Sequence, residues 1–379
     1  MKLSIETKAL QSGLAIAGRV ISAKAPWPIL SNIKIAAQKD KITLSGCNGD
    51  TTFEADVAAT VTTPGATLLP FDHLVKFIAA AKGTTVEIEA SGSGYVVKSG
   101  RGRIVLAPSN LEDYPAYRPP EGQAGTLDAT TLNAALKFCV AAADDSEARY
   151  YLQGVYVAER NGGLEFWGTD GHALHHTEIA EADPIGGGGI LPTDAVGIVT
   201  NIADRHDTVQ LLVCERGWHI ITPSVRAFGK VIDGSYPDCR RVLAGFTDWR
   251  EVIAGPKDEL IAALSVAACG TDEGAGGTRQ LVIRGKTDNP VIAFGRGARG
   301  GVMSTGRAEM DVRAKADFAG CVNSKLMQAA ITGIGASDVT IQHCGAAWKV
   351  EPSQKSTTSE TYAIVMSIRA SDEEMADAA

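Results

Sequence analysis

The sequence predicts an α+β fold made of repeated units of about 120 residues, and three observations point there. First, two stretches of chain align at one fixed offset: Leu10 with Leu132, Leu14 with Leu136 and Leu30 with Leu152 are each 122 apart. The same shift pairs Gly46 with Gly168, Gly49 with Gly171, Val57 with Ile179, Pro70 with Pro192, and Tyr114-Pro115 with Tyr236-Pro237. A register held without insertion from a first helix to a closing Tyr-Pro turn marks a duplicated domain. Second, apolar spacing within each copy runs in the order helix, strands, helix, strands. Third, a length of 379 residues leaves room for another copy, and three cores fit ordinary domain size.

The elements follow in order. Leu3 and Ile5 alternate with polar neighbours and predict an edge strand at the start. Leu10, Leu14, Ala17 and Ile21 share one face of a helix over 7–21. Alternating segments at 32–36, 41–45 and 53–60 predict strands. Pro70 opens a second helix carrying Leu74, Phe77, Ile78 and Ala81, and Gly83 ends it, with Pro and Gly in their usual places. Strands at 85–90, 95–99 and 103–107 close the unit, and Arg118-Pro119-Pro120-Glu121-Gly122 reads as a linker. The second copy carries helices at 129–142 (Leu132, Leu136, Cys139, Val140) and 193–203. The third is looser, with helices at 257–268 and 324–334. Domains are thus expected at 1–121, 122–247 and 248–369. Gly186 to Gly189 reads as a flexible loop, and 370–379 as an acidic tail without a core signal, expected to be disordered.

Apolar content of 45% with 21% charged residues describes globular material and excludes a disordered chain. No run approaches the roughly 18 apolar residues that span a bilayer, and the first residues lack a signal-peptide build. Seven cysteines stand singly without CxxC spacing, which argues against a disulfide frame or zinc. The expectation is a cytoplasmic, reduced protein without metal or cofactor.

A net charge of −8 argues against a nucleic-acid partner until its distribution is considered. On helices taken as 7–21, 73–82, 129–142, 193–205, 257–268 and 324–336, eight basic residues (Lys8, Arg19, Lys76, Lys82, Lys137, Arg205, Lys257, Lys325) face four acids. The helices sum to +4 and the rest of the chain to −12. A basic helical layer on an acidic body suits contact with phosphates without base reading.

Specific strings then carry a resemblance. Arg149-Tyr150-Tyr151-Leu152-Gln153-Gly154, Thr169-Asp170-Gly171-His172-Ala173-Leu174, and Asp233-Gly234-Ser235-Tyr236-Pro237-Asp238-Cys239-Arg240-Arg241-Val242 resemble the bacterial sliding clamp, the DNA polymerase III beta subunit. So do Pro28-Ile29-Leu30-Ser31-Asn32 and Tyr362-Ala363-Ile364-Val365-Met366-Ser367-Ile368-Arg369, and the likeness runs in order over residues 1–369. The resemblance implies three clamp domains per chain, each with two helices and two small antiparallel sheets. It also implies a head-to-tail homodimeric ring whose helices line a hole for duplex DNA. Such a clamp tethers the replicative polymerase and other proteins bearing clamp-binding motifs, is opened by a separate loader, and has no catalytic site.

Carried over residue by residue, the partner-peptide cleft falls on Leu152, Thr169, Gly171, His172, Leu174, Pro237, Val242, Ile364, Val365, Met366 and Arg369. Its apolar character, with Met, suits a surface that accepts several partners. DNA contacts fall on Lys24, Arg149, Tyr150 and Tyr151. The dimer interface falls on Ile104 and Leu106 of an apolar edge strand, against Ala268 and Cys269. The chain departs from the pattern at Ala173 (usually Arg), Ser367 (usually Pro) and Lys325 (near a usual aromatic). Asp72-His73 and Thr193-Asp194 stand where basic residues are common.

Other motifs are weighed and set aside. Gly285-Lys286-Thr287 lacks the earlier glycine of a P-loop and runs into Asp288-Asn289-Pro290, so a hairpin loop is expected. Gly295-Arg296-Gly297-Ala298-Arg299-Gly300 fits GxGxxG but leads into no helix, and also reads as a loop. His172, His175 and His176 with Asp170 do not make a metal site, because adjacent strand residues point to opposite faces. Asp170-Gly171 pairs with Asn48-Gly49 at the 122 shift, so it reads as a turn before a catalytic half-dyad. Two alternatives stay open: a clamp-like protein of a phage or accessory element with other partners, and an enzyme or small-molecule binder on duplicated α+β units.

Overall fold

The computed structural model describes residues 1–22, 25, 27–271, 280–299, 302–356 and 359–369, with 298, 299, 302 and 303 described by backbone alone. Lys24 and the tail at 370–379 lie outside the described residues. The helices are α1 (Thr7–Ala17), α2 (Phe71–Ala80), α3 (Ala129–Val140), α4 (Thr193–Ala203), α5 (Cys239–Leu243), α6 (Lys257–Ala268) and α7 (Ser324–Gly333).

The duplication is visible element by element. α1 and α3 begin 122 residues apart, as do α2 and α4, and so do strands Asn32–Gln38 and Gly154–Arg160, Lys41–Cys47 and Gly163–Thr169, and Thr51–Ala58 and Ala173–Ile179. The third copy keeps the order strand, helix, four strands, helix, three strands from Arg250–Pro256 to Thr361–Ile368. α1 ends four residues earlier than its apolar period implies. After Ala17 the chain tightens, Arg19 and Val20 N–H groups bonding the carbonyls three residues back at 3.0 Å, and Ile21 still reaches the core.

The chain forms two compact units, and they cut across the repeats. One comprises Met1–Asn133 and Asp183–Val231, the other Ala134–Ala182 and Ile232–Ala379. The reason is sheet continuity between repeats. In the first unit, Val225–Gly229 of the second copy pairs antiparallel with Thr51–Ala58 of the first (Val225 opposite Ala55, Ala227 opposite Phe53). In the second unit, Ala173–Ile179 pairs with Thr361–Ile368 of the third copy (Ala173 opposite Val365, Thr177 opposite Thr361).

The first unit holds a five-stranded sheet in the order Thr60–Thr63, Lys2–Glu6, Thr85–Ser91, Gly94–Ser99, Gly102–Leu106. The opening strand is therefore not an edge. Lys2–Glu6 is bonded on both sides, and Leu3 and Ile5 are buried. An eight-stranded sheet carries α1 closely enough that a Cβ on Gly13 would sit 2.8 Å from Leu44.

In the second unit, Gly163–Thr169 and Ala173–Ile179 lead into Thr361–Ile368, which pairs with Ala347–Pro352 and, at its far end, with Phe318–Asn323. Gly285 to Pro290 is a hairpin connection, as its sequence implies, and Asp317 holds Thr287 through both its N–H and its hydroxyl. The GxGxxG stretch is not a loop: Gly295 to Arg299 belongs to strand Pro290–Arg299. Its glycine serves packing instead. A Cβ at Gly295, or at Gly306 on the next strand, would lie 2.4 Å from the Ala267 carbonyl of α6.

Candidate functional site

The feature in the second unit best suited to a ligand is an apolar cleft of about 320 Å³. Its rim begins with the turn between strands Gly163–Thr169 and Ala173–Ile179. Asp170 Oδ1 accepts from the N–H groups of His172 (2.7 Å) and Ala173 (2.6 Å), while Thr169 Oγ1 donates to the Ala173 carbonyl at 2.6 Å. Gly171 adopts φ +82°, which a side chain resists. The Asp170 carboxylate is thus occupied by the turn, as Asn48 Oδ1 is by Asp50 and Thr51 N–H at the matching place in the first copy.

Arg149 locks the rim from the other side. Its Nε lies 2.8 Å from Asp144 Oδ2, a carboxylate 5% exposed, and its Nη1 donates to the Asp170 carbonyl at 2.7 Å. The floor comes from strand pairing, which sets Leu174 opposite Ile364, and Met366 N–H donates to the His172 carbonyl at 2.8 Å. The remaining wall is α5. Asp238 caps it by accepting from Arg241 N–H at 3.1 Å. Arg240 ties it to the sheet through Glu165 and through Glu178 at 3.3 Å, over the Trp167 ring at 5.1 Å. From this helix Cys239, Val242 and Leu243 face the cleft, followed by Phe246. Burial pushes the Cys239 thiol up to about 12, so it stays neutral and lines the cleft as an apolar group. An apolar slot with a hydrogen-bonded rim suits a short hydrophobic segment.

Leu152, Thr169, Gly171, His172, Leu174, Pro237, Val242, Ile364 and Met366 all line this cleft. Val365 does not. Strand alternation turns it to the opposite face, fully buried between Ala173 and Trp348 neighbours. Arg369 stands beyond the strand, beside a second depression with Ala346 and Ser367. Arg149 and Tyr151, expected to meet DNA, are placed in the cleft lining. Tyr150 is 52% exposed and packs edge-on to Tyr151. Leu243 and Phe246 were not expected; a five-residue helix is too short to leave a periodic signal, although the Asp238 cap hints at it.

The expected charge of the helices changes, and the expected dimer contacts find their places in the fold. The observed helices α1 to α4, α6 and α7 carry Lys8, Lys76, Lys137, Lys257 and Lys325 against Asp72, Asp194, Asp258 and Glu259. Arg19, Lys82 and Arg205 fall just past helix ends, so the charge excess nearly vanishes; Lys76 is also paired with Asp72 at 2.6 Å. At the expected dimer contacts, Leu106 and Ala268 are buried and Ile104 is half-buried, while Cys269 is exposed. The exposed apolar side chains are Val105 and Val266, because alternation and helix phase turn the neighbours inward. His175 and His176 are buried on opposite faces, His175 stacked on Phe138 and His176 on Trp167.

With this geometry in hand, comparison with known proteins places the chain. Residues 1–118 match the family of the DNA polymerase III beta subunit N-terminal domain, and residues 126–238 match its central domain. The "Beta sliding clamp" of Caulobacter vibrioides is 29% identical over 255 residues, 64% of this chain and 68% of that one. That of Proteus mirabilis is 27% identical over 294 residues, 76% of this chain and 79% of that one. Among solved structures, a DNA polymerase sliding clamp from Bacillus subtilis superposes with a TM-score of 0.88 at 19% identity, covering 98% of this chain and all of that one.

Proposed function

The chain belongs to the DNA polymerase III beta subunit family, and we propose that its cleft is the docking site for a short hydrophobic segment of the replicative polymerase and of other replication proteins. It is a DNA sliding clamp, with an α+β fold of three repeated domains. The observation that carries the docking reading is the convergence on one slot of Leu174, Ile364 and Met366 from the sheet and Val242 and Leu243 from α5. A peptide carrying a clamp-binding motif from a polymerase should bind the full chain, and bind Leu174→Ala and Met366→Ala each about tenfold more weakly. Undiminished binding in both variants would remove the cleft from the reading.

The protein acts as a head-to-tail homodimer around duplex DNA, without catalysis of its own. Each domain repeat spans 1–121, 122–247 or 248–369. Strand Gly102–Leu106, last in its sheet, offers an open edge for pairing with another copy. The protein should elute near twice 39.6 kDa, and charge placed at Ile104 and Val105 should give monomers. DNA contact is to phosphate, so binding should weaken steeply with salt and show no sequence preference. Lys24 and the basic residues at helix ends are the groups to neutralise, and Tyr150 is the one to truncate. Strong discrimination among duplexes would sink the sliding reading.

The changes at Ala173 and Ser367 favour a partner set that differs in detail from that of relatives. Ala173, at the cleft rim, stands where a long cationic side chain is usual, and its methyl turns away with Val365; the Ser367 hydroxyl is buried without a hydrogen-bond partner.

A further inference from the structure

We propose that His176, Glu178 and Glu360 form a site for a divalent transition-metal ion that staples the two strands of the cleft floor together. His176 and Glu178 lie two apart on strand Ala173–Ile179 and share a face. Glu360 immediately precedes Thr361–Ile368, where the register sets it against Glu178: Glu178 N–H donates to the Glu360 carbonyl at 3.0 Å. One ligand atom from each of the three side chains falls within 4.8 Å of the others.

The imidazole supplies the decisive observation. His176 is fully buried, its Nδ1 lies 3.2 Å from the Phe166 carbonyl oxygen, and its Nε2 lies 3.4 Å from Glu178 Oε1. Nε2 has no hydrogen-bond partner. A neutral imidazole owns one N–H, yet both nitrogens face oxygens that can only accept. With Nδ1–H on the carbonyl, the Nε2 lone pair faces a carboxylate; the other tautomer leaves the Nδ1 lone pair facing the carbonyl instead. A cation seated between them resolves the repulsion. Holding the distal N–H on a backbone carbonyl is also how metal-binding imidazoles are oriented.

The charge around the site agrees. Two carboxylates opposite each other on paired strands repel, and Glu165 adds a third nearby. Arg240 answers Glu165 and Glu178, and its 3.3 Å contact to Glu178 Oε1 leaves that oxygen a second lone pair. Mixed imidazole and carboxylate donors suit Zn²⁺, Co²⁺ or Ni²⁺ over Mg²⁺ or Ca²⁺. Glu360 is exposed and Glu178 partly so, giving the ion a path in and a position for water. Along the same two strands lie Leu174 and Ile364, so occupancy would stiffen the cleft floor.

The test uses the full chain after chelation and dialysis, titrated with Co²⁺ and Zn²⁺ and followed by visible absorption and thermal unfolding. One Co²⁺ per chain should bind with a spectrum of nitrogen and oxygen donors, and saturating Zn²⁺ should raise Tm by several degrees. E360Q, at an exposed position that folding does not need, should weaken Co²⁺ at least tenfold and abolish the Tm shift; H176Q should do the same. C269S, which removes the exposed thiol, should leave both signals intact. A Tm unmoved by Zn²⁺, a shift that survives in E360Q, a signal lost in C269S, or an equal shift with Mg²⁺ would each overturn the proposal.

Discussion

Two sheet seams join consecutive repeats in this chain, and the apolar cleft lies at the second. At the first, Val225–Gly229 pairs with Thr51–Ala58; at the second, Thr361–Ile368 pairs with Ala173–Ile179. The pairing is equivalent, and so are the rim turns Asn48-Gly49 and Asp170-Gly171. The difference lies in the segment after the Tyr-Pro turn. At the second seam Pro237 is followed by Asp238, which caps α5. At the matching positions of the first repeat, Pro115 is followed by Ala116, and Pro119 and Pro120 stand where Arg241 and Val242 stand in the second. Alanine cannot cap, and two prolines remove N–H groups that a helix needs. The first seam is closed instead at its surface by the Arg226–Glu54 and Lys230–Asp50 ion pairs. A few residues outside the sheet thus build the cleft wall on a repeated frame.

Copying the first linker into the second should break this difference most completely. Arg241→Pro with Val242→Pro removes the N–H groups that bond Asp238, and should unwind α5 at a cost of about 3 kcal/mol. Peptide affinity should fall by two orders of magnitude in a titration, with the dimer intact by size. Truncating floor anchors one at a time is milder. Leu174→Ala or Met366→Ala should each cost about 1–2 kcal/mol of binding, read by the same titration.

Acid probes the first seam separately. Burial, reinforced by the Arg226 guanidinium, pushes the His219 imidazole down to about 4. The unfolded chain takes this proton near pH 6.5, so the stabilisation from a neutral His219 is whole above that pH and is lost as pH falls toward 4. At pH 5 the loss is about 1–2 kcal/mol. Thermal unfolding of His219→Gln should show a correspondingly flatter dependence between pH 6.5 and 5. The smallest expected effect is loss of the cap alone: Asp238→Ala should weaken the peptide by about 1 kcal/mol. An unchanged affinity there would mean that Arg240, bridging Glu165 and Glu178, holds α5 unaided.

Much of this was legible in the chain. The 122-residue register places the elements shared by the first two copies, because insertion-free duplication preserves both the 3.6 and the 2.0 period. Leu10, Leu14, Leu132 and Leu136 are all in the core. Most cleft residues were readable as strings, since turn chemistry at Thr169 to Ala173 is local. Val365 misled, because a string does not say which face of a strand is already covered. That Arg149 pairs with the buried Asp144 was not legible, because the two meet only in the folded chain.

By itself the sequence determined the repeat, most of the secondary structure and the chemistry available at each turn, all of which depend on neighbours a few residues apart. Only the tertiary structure decided how strands from different repeats join, which puts Leu174 opposite Ile364 and Glu178 beside Glu360 across more than 180 positions of chain. Pairing of that kind depends on which edges remain open after each sheet has formed. No local period records it.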